Sequence, residues 1–106
     1  MIVKNDEKSF VPMVEGAKRK TLAHGEKTLL IQVVLDKGSL VPNHAHPHEQ
    51  IGYMISGKAI FIIDGEENEV NPGDSWAIPG NVAHSVKVIE DSVIVEVFSP
   101  VREDYL

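Results

Sequence analysis

Four of the five histidines in the sequence lie in two short segments whose spacing is suited to metal binding. In the first segment His44, His46 and Gln50 share one parity, so in an extended strand their side chains point the same way and can converge on one ion. His48 has that parity too, so the spacing alone does not exclude it. The second segment contains His84. Two strand-and-turn units could therefore close one metal site.

The amide at position 50 influences the chemistry that such a site would favour. Three neutral imidazoles and an amide leave a divalent ion with its full charge, whereas a glutamate in place of Gln50 would cancel part of it. We therefore expect an anionic ligand, such as a carboxylate, and Lewis-acid chemistry in preference to redox chemistry. Because imidazole binds Zn, Ni, Fe, Cu and Mn, the residues predict one divalent metal ion without identifying it.

Composition limits the remaining possibilities. The 106 residues allow one domain with one core, residues 1–106, which would bury roughly 60–68% of the unfolded surface. A net charge of −6 opposes binding to nucleic acid or to anionic membranes. The absence of cysteine removes thiolate ligands and disulfides. No apolar run approaches the roughly 18 residues of a membrane span, and no signal-peptide core is visible, so we expect a cytoplasmic protein.

Short β-rich runs separated by glycine, proline and aspartate predict an all-β fold. Residues 28–35 read as a central strand, 51–56 and 58–64 as two strands joined tightly at Ser56 and Gly57, and 84–89 with 92–98 as a final pair. Turn signals also occur at residues 36–38, 64–67, 71–74 and 79–81. No helical period extends beyond a turn or two. About ten strands at this spacing predict a jelly-roll barrel.

Two features predict contact with a second chain. Residues 59–63 are apolar on both faces, which is typical of a strand with the barrel interior on one side and a second sheet or subunit on the other. The segment 1–15 includes Pro12, which cannot donate to a strand ladder, so it reads as an edge strand or a dimer arm. We therefore expect a homodimer.

The two histidine segments resemble the paired motifs of the cupin superfamily. The first matches G-x5-H-x-H-x3-E-x6-G from Gly38 to Gly57, except that Gln50 occupies the acidic position. The second resembles G-x5-P-x-G-x2-H-x3-N from Gly73 onward, with Asn81 in the glycine position and Val88 in the final asparagine position. Asn tolerates positive φ better than most residues, so the first of these departures is mild. The resemblance implies a double-stranded β-helix, which is the jelly-roll barrel that the strand pattern predicts.

Within the cupins, the ending of the chain and the sequence His-Pro-His-Glu-Gln resemble the KdgF group of small cupins, which act in pectin and uronate catabolism. That group is taken to convert 4,5-unsaturated uronate monosaccharides to linear keto sugars with a metal held by three His and one Gln. The resemblance implies His44, His46, Gln50 and His84 as the metal ligands, and we expect Zn, Ni, Mn or Fe. The spacing leaves His48 as the first substitute and places Glu49, which has the opposite parity, outside the set.

The same resemblance assigns roles near the end of the chain. The catalytic acid, the aromatic residue and the arginine of the group fall on Glu96, Phe98 and Arg102, with Glu96 where the group has aspartate. Glu96 would move a proton, Phe98 would pack on the sugar, and Arg102 would pair with the substrate carboxylate. The group also shares the basic triplet near the start, and we assign Arg19 to substrate binding.

Two other functions remain open at this point. The same scaffold supports metal-dependent oxygenases, isomerases and decarboxylases of other small carboxylates, because a fold does not determine a reaction. A non-enzymatic cupin that binds a metal or metabolite is the third reading. Oxygen consumption would identify an oxygenase, and ligand-induced thermal stabilisation without turnover would identify a binding protein.

Overall fold

The β-rich runs form eight strands that wind into a barrel in the computed structural model, which describes residues 1–106. In chain order they are β1 (Val11–Pro12), β2 (Ala17–His24), β3 (Leu29–Leu35), β4 (Leu40–His44), β5 (Glu49–Ile63), β6 (Glu66–Val70), β7 (Ser75–Ile78) and β8 (His84–Ser99). One short 3-10 turn, Glu103–Tyr105, follows β8. The all-β prediction is therefore confirmed, and no helix of the structure is long and apolar enough to cross a membrane.

Strands β5 and β8 are long, and their antiparallel pairing forms the centre of the barrel. The first half of β5 pairs with the second half of β8, and this region of the sheet continues through β3 and β2 to β1 on one side and to β7 on the other. The other halves of β5 and β8 pair with each other, with β6 beside β5 and β4 beside β8. Both long strands thus contribute to both layers of the barrel.

The predicted tight turn at Ser56 and Gly57 is wrong. The chain does not reverse there: β5 runs straight through, with shifts in register against β8 and with Gly57 at a φ of 100°. A Cβ atom at Gly57 would collide with Ser92 and with the Asp91 carbonyl, so the glycine allows a bulge where the two strands bend together. The predicted final pair 84–89 and 92–98 is likewise one strand, which lowers the strand count from about ten to eight.

Most of the predicted turns are confirmed. Asp64 and Gly65 have φ values of 52° and 79° and form the tight β5–β6 hairpin, as expected for a primed two-residue turn. A turn also closes residues 71–74, where the Asp74 amide donates to the Asn71 carbonyl at 3.0 Å. The turn at residues 36–38 forms but joins no hairpin, because β3 and β4 both pair with β8 and not with each other.

The residue types at the edge of the sheet and in the barrel interior match their environments. Pro12 lies in β1 opposite Lys18 of β2, at the edge of the sheet, where a missing N–H costs little. Alternate residues of β3, namely Leu29, Ile31, Val33 and Leu35, are buried in the barrel interior. This interior is apolar at its centre and polar at the end where the histidines lie.

Candidate metal centre

The histidines come together because β4 and β8 are neighbours. His44 is the last residue of β4 and lies opposite His84, the first residue of β8, with ring centroids 4.2 Å apart. His46 lies in the loop between β4 and β5, and Gln50 is near the start of β5. The expected single extended strand is therefore wrong: a strand end, a loop and a strand start supply the first segment's residues. His44 and Gln50 nevertheless line one cavity, and His46 lies in a cluster with His44 and His84.

The turn before His84 connects the two segments. Asn81 has a φ of 66°, so it adopts the conformation expected of the glycine that it replaces, and its amide donates to the His46 carbonyl at 2.7 Å. A Cβ atom at Gly80 would collide with the Pro47 carbonyl, so glycine allows the turn to pack directly on the His46 loop. Backbone contacts thus set the distance between the two segments.

The three histidines form a cluster that can hold a metal ion. One ligand atom from each of His44, His46 and His84 lies within 4.8 Å of the others. Their Nδ1–H groups donate to backbone carbonyls: His44 to Pro42 (2.8 Å), His46 to His48 (3.0 Å) and His84 to Val82 (2.9 Å). These hydrogen bonds assign the proton to Nδ1 and leave the Nε2 lone pairs for the ion.

Two observations show that these residues fit a cation. The Nε2 atom of His84 is buried and has no hydrogen-bond partner. The Nε2 atom of His46 lies 2.9 Å from Oε1 of Gln50, so with the proton on Nδ1 two lone-pair acceptors lie side by side, an arrangement that a cation bound to both would stabilise. Burial is the main reason why the pKa values of His46 and His84 are lowered, and this keeps the imidazoles neutral.

Gln50 is also tied to a buried carboxyl group. Its Nε2 amide donates to Oε2 of Glu96, and the indole N–H of Trp76 donates to the same oxygen at 3.2 Å. These bonds orient the amide so that its oxygen points toward the histidines. Glu96 is only 6% exposed, and burial raises the pKa of its carboxyl, opposed by the two donors and by Arg102. The hydrogen bonds from Trp76 and Gln50 to Glu96 explain the amide at position 50, because a carboxylate there would face the carboxylate of Glu96.

The mouth of the cavity is formed by the end of the chain. The Arg102 guanidinium lies 5.1 Å from the centroid of the Phe98 ring and 3.9 Å from that of Tyr105, and it forms an ion pair with Asp104 at 3.0 Å. The cavity itself measures about 50 Å³. It is lined at its polar end by His44, Gln50, His84, Glu96, Phe98, Arg102 and Tyr105. A sugar-sized ligand bound at the histidines would therefore extend through the mouth and past Arg102.

The remaining sequence candidates lie outside this cavity. Arg19 does not line this cavity; its guanidinium lies 4.2 Å from the Tyr105 ring centroid, and it lines a neighbouring pocket together with Tyr105 and His44. The His48 ring lies 5.6 Å from the His46 ring, between centroids, and is tilted by 60°, but it is not in the cluster, and Glu49 is exposed. Both were expected to lie outside the ligand set.

Sequence reasoning missed Trp76, Asp104 and Tyr105. A signal for Trp76 existed, since Gly52 lies opposite it in the β5–β7 pairing and a Cβ atom there would collide with the indole. A glycine inside a strand often marks such a close approach. Tyr105 and Asp104 had no comparable signal, because they lie in a short polar tail whose path depends on its contacts with β2.

Comparison with known proteins agrees with this geometry. Residues 31–100 match the cupin domain family. The chain is 32% identical to the pectin degradation protein KdgF of Dickeya dadantii over 104 residues, which span 96% of this chain and 94% of that protein. A further match, 32% identical over 59 residues, is to the acireductone dioxygenase of Bacillus subtilis and spans 51% of this chain and 33% of the enzyme.

A solved structure gives the same answer for the fold. KdgF from Halomonas sp. superimposes with a TM-score of 0.93 at 31% identity, covering 100% of this chain and 98% of that chain. Sequence, fold and a clustered histidine triad at the barrel mouth thus agree, and the chain is a member of the cupin family, within the group of small cupins that includes KdgF.

Proposed function

We propose that this protein is a metal-dependent enzyme of sugar-acid catabolism that converts 4,5-unsaturated uronate monosaccharides to linear keto forms. The observation that carries the proposal is the placement of Glu96 and Arg102 on the cavity that His44 and His84 of the histidine cluster also line. One buried carboxyl group, one guanidinium and one cation site then face the same small molecule. The similarity to KdgF over nearly the whole chain supports the choice of substrate class.

The ligands of the ion are His44, His46, His84 and Gln50, and the ion is Zn, Ni, Mn or Fe. When bound, it would supply Lewis-acid polarisation of substrate oxygens without the charge compensation that a glutamate ligand would add. Each histidine is held in one orientation by its Nδ1–H bond, so the cluster is preorganised and needs little rearrangement.

Three side chains of the cavity have separate roles in binding the substrate and moving the proton. Arg102 pairs with the substrate carboxylate, and Phe98 packs against the sugar ring. The reaction is an isomerisation: the hemiacetal O–H loses its proton, the bond from the ring oxygen to the hemiacetal carbon breaks, and C4 gains a proton as the enol becomes a ketone. Glu96 moves this proton. Its Oε2 already accepts from Gln50 and Trp76, so Oε1 is the oxygen that binds and releases it.

The activity can be tested directly. Metal-stripped protein is reloaded separately with Zn, Ni, Mn or Fe and mixed with unsaturated uronate, and the loss of the enol-ether absorbance is followed. We expect a rate above the spontaneous one with at least one metal, and loss of turnover in Glu96→Gln with metal content unchanged. Absorbance loss at the spontaneous rate with all four metals would refute the proposal.

One observation favours a second candidate. The chain is 32% identical to acireductone dioxygenase over 59 residues, although these span only 33% of that enzyme. A metal-dependent oxygenase, isomerase or decarboxylase of another small carboxylate is therefore the alternative. Oxygen uptake on a panel of carboxylates, measured with the same metal-loaded protein, distinguishes an oxygenase from the proposed isomerising enzyme.

We also propose that the protein forms a homodimer through the outer face of β5. Ile51, Tyr53 and Ile55 alternate along this strand, and each is about half exposed at 48%, 48% and 49%. Such a row of apolar side chains on one sheet face is typical of an interface. We expect a dimer mass in light scattering, a monomer for Tyr53→Lys, and a dimer for the control Ile89→Lys, whose exposed isoleucine lies elsewhere. A monomeric wild-type protein would refute this proposal.

A further inference from the structure

The Tyr105 ring contacts two guanidinium groups. The Arg102 guanidinium carbon lies 3.9 Å from the ring centroid and that of Arg19 lies 4.2 Å from it. The Tyr105 and Phe98 rings also meet in a T-shaped contact, with their centroids 5.7 Å apart and an interplanar angle of 87°. Cations over an aromatic face are attracted by its quadrupole, and the attraction grows when the contact is shielded from water. The ring is thus a platform for both arginines, of which Arg102 lines the cavity and Arg19 does not.

Strand β2 fixes the position of this platform. The Thr21 hydroxyl donates to the Tyr105 carbonyl, and Nη2 of Arg19 donates to the Asp104 carbonyl at 3.3 Å. These bonds attach the C-terminal turn to a strand that supplies no cavity-lining side chain. Arg19, which the sequence suggested for substrate binding, therefore also holds the C-terminal turn.

Arg102 has few other contacts that would fix its direction. Its one side-chain hydrogen bond goes to Asp104, which is 61% exposed, and its buried Nε has no partner. An exposed ion pair contributes little and does not hold a long side chain in place. The rings of Tyr105 and Phe98 are the groups that determine where the guanidinium lies.

We infer that Tyr105 is a positioning residue that holds the Arg102 guanidinium at the cavity mouth, and that Arg19 acts through Tyr105. The inference rests on the proposed function in one respect, namely that Arg102 binds the substrate carboxylate. Preorganising a guanidinium lowers the cost of ordering it when the carboxylate arrives. The predicted effect is therefore on binding and not on the chemical step.

The test measures binding and turnover separately on metal-loaded protein. Galacturonate, a saturated uronate, serves as a probe whose Kd is measured by calorimetry, and unsaturated uronate is used for KM and kcat. We expect Tyr105→Leu to raise Kd and KM about tenfold, equal to about 1.4 kcal/mol, with kcat within about threefold of wild type. Tyr105→Phe keeps the ring and is expected to restore most of the affinity.

A double variant shows whether Tyr105 acts through the arginine. If it does, Tyr105→Leu in an Arg102→Ala background has no further effect on Kd, because the residue that it positions is already gone. Arg19→Met should raise Kd about threefold in the wild type and have no effect in the Tyr105→Leu background. This milder variant also keeps the test available if Tyr105→Leu folds poorly, which melting curves would reveal.

The outcomes separate this inference from the proposed function. If Arg102→Ala leaves Kd for galacturonate unchanged, or if galacturonate does not bind at all, the assignment of Arg102 to the carboxylate is wrong and the inference falls with it. If Arg102→Ala weakens binding but the effects of Tyr105→Leu and Arg102→Ala multiply, Tyr105 acts independently and the inference alone is overturned. If binding depends on both residues but no turnover occurs, the inference stands and the proposed reaction does not.

Discussion

Replacing Gln50 with glutamate would place two carboxyl groups against each other inside the barrel. In the native chain the Gln50 amide donates to Oε2 of Glu96, and both side chains are buried, at 6% exposure each. Gln50→Glu removes the donor and puts a second acceptor in its place. We expect the metal-free protein to lose stability, although glutamate is the residue that most cupin motifs of this pattern have.

The size of the loss follows from the contact. Two unit charges 4 Å apart repel by about 4 kcal/mol at an effective dielectric constant of about 20. One carboxyl group can avoid this by binding a proton, which for a glutamate of ordinary pKa also costs about 4 kcal/mol at neutral pH. Because burial already raises the pKa of Glu96, part of the cost exists in the wild type. We therefore expect the free energy of unfolding to fall by about 2–4 kcal/mol. The lower value corresponds to the loss of one hydrogen bond to a charged group, and the upper value to the full repulsion or protonation cost.

The measurement is urea unfolding of chelator-treated protein at about neutral pH, followed by circular dichroism. Chelation matters because a bound ion would stabilise a carboxylate at position 50. The reciprocal double variant Gln50→Glu/Glu96→Gln restores one donor facing one carboxylate, so its stability should return to within about 1 kcal/mol of wild type. Gln32→Glu is the control: Gln32 lies on β3 opposite Lys20 and Val95, with no carboxylate facing it.

A wild-type urea midpoint for Gln50→Glu would refute the electrostatic account of position 50. So would a double variant that loses the sum of the two single losses, because the pair would then not be coupled. The double variant should also lack turnover even when it binds metal, since the carboxyl group has moved from the position that transfers the proton.

Three further predictions test the site. His84→Ala should reduce metal content to a small fraction of wild type by elemental analysis, whereas His24→Ala, which changes an exposed histidine at the end of β2, should leave it unchanged. Asp104→Asn should lower KM for the uronate about two- to fivefold, because the Arg102 guanidinium loses an internal carboxylate that competes for it, while Glu103→Gln, the same charge change one residue away, should not. The melting temperature of metal-free Glu96→Gln protein should fall as the pH drops below about 6.5, because burial lowers the pKa values of His46 and His84 and the unfolded chain then binds more protons than the folded one. The Glu96 variant is used because the raised pKa of that carboxyl would change stability in the opposite direction. A melting temperature that does not change with pH would contradict the burial argument.

Much of the fold was predictable because its signals are local. The turn at Asp64 and Gly65 and the one before His84 are determined by backbone conformations that few residues adopt, so short stretches of sequence identify them. The wrong prediction of a turn at Ser56 and Gly57 also comes from reading a local signal, which in this case is ambiguous. A glycine at positive φ serves a turn or a bulge equally well, and only the continuous pairing of β5 with β8 determines which one forms.

The sequence by itself determined the family, the barrel and the four candidate ligands, because the spacing of His44, His46, Gln50 and His84 survives as a motif even though it spans a strand end, a loop and two strand starts. Only the tertiary structure decided what the amide of Gln50 is for and what Arg19 touches. Gln50 and Glu96 are 46 positions apart in the chain, and Arg19 and Asp104 are 85 apart. Contacts of that range depend on the register of β8 against β5 and on how the C-terminal turn meets β2, and register is a property of all the paired strands together and not of any local stretch.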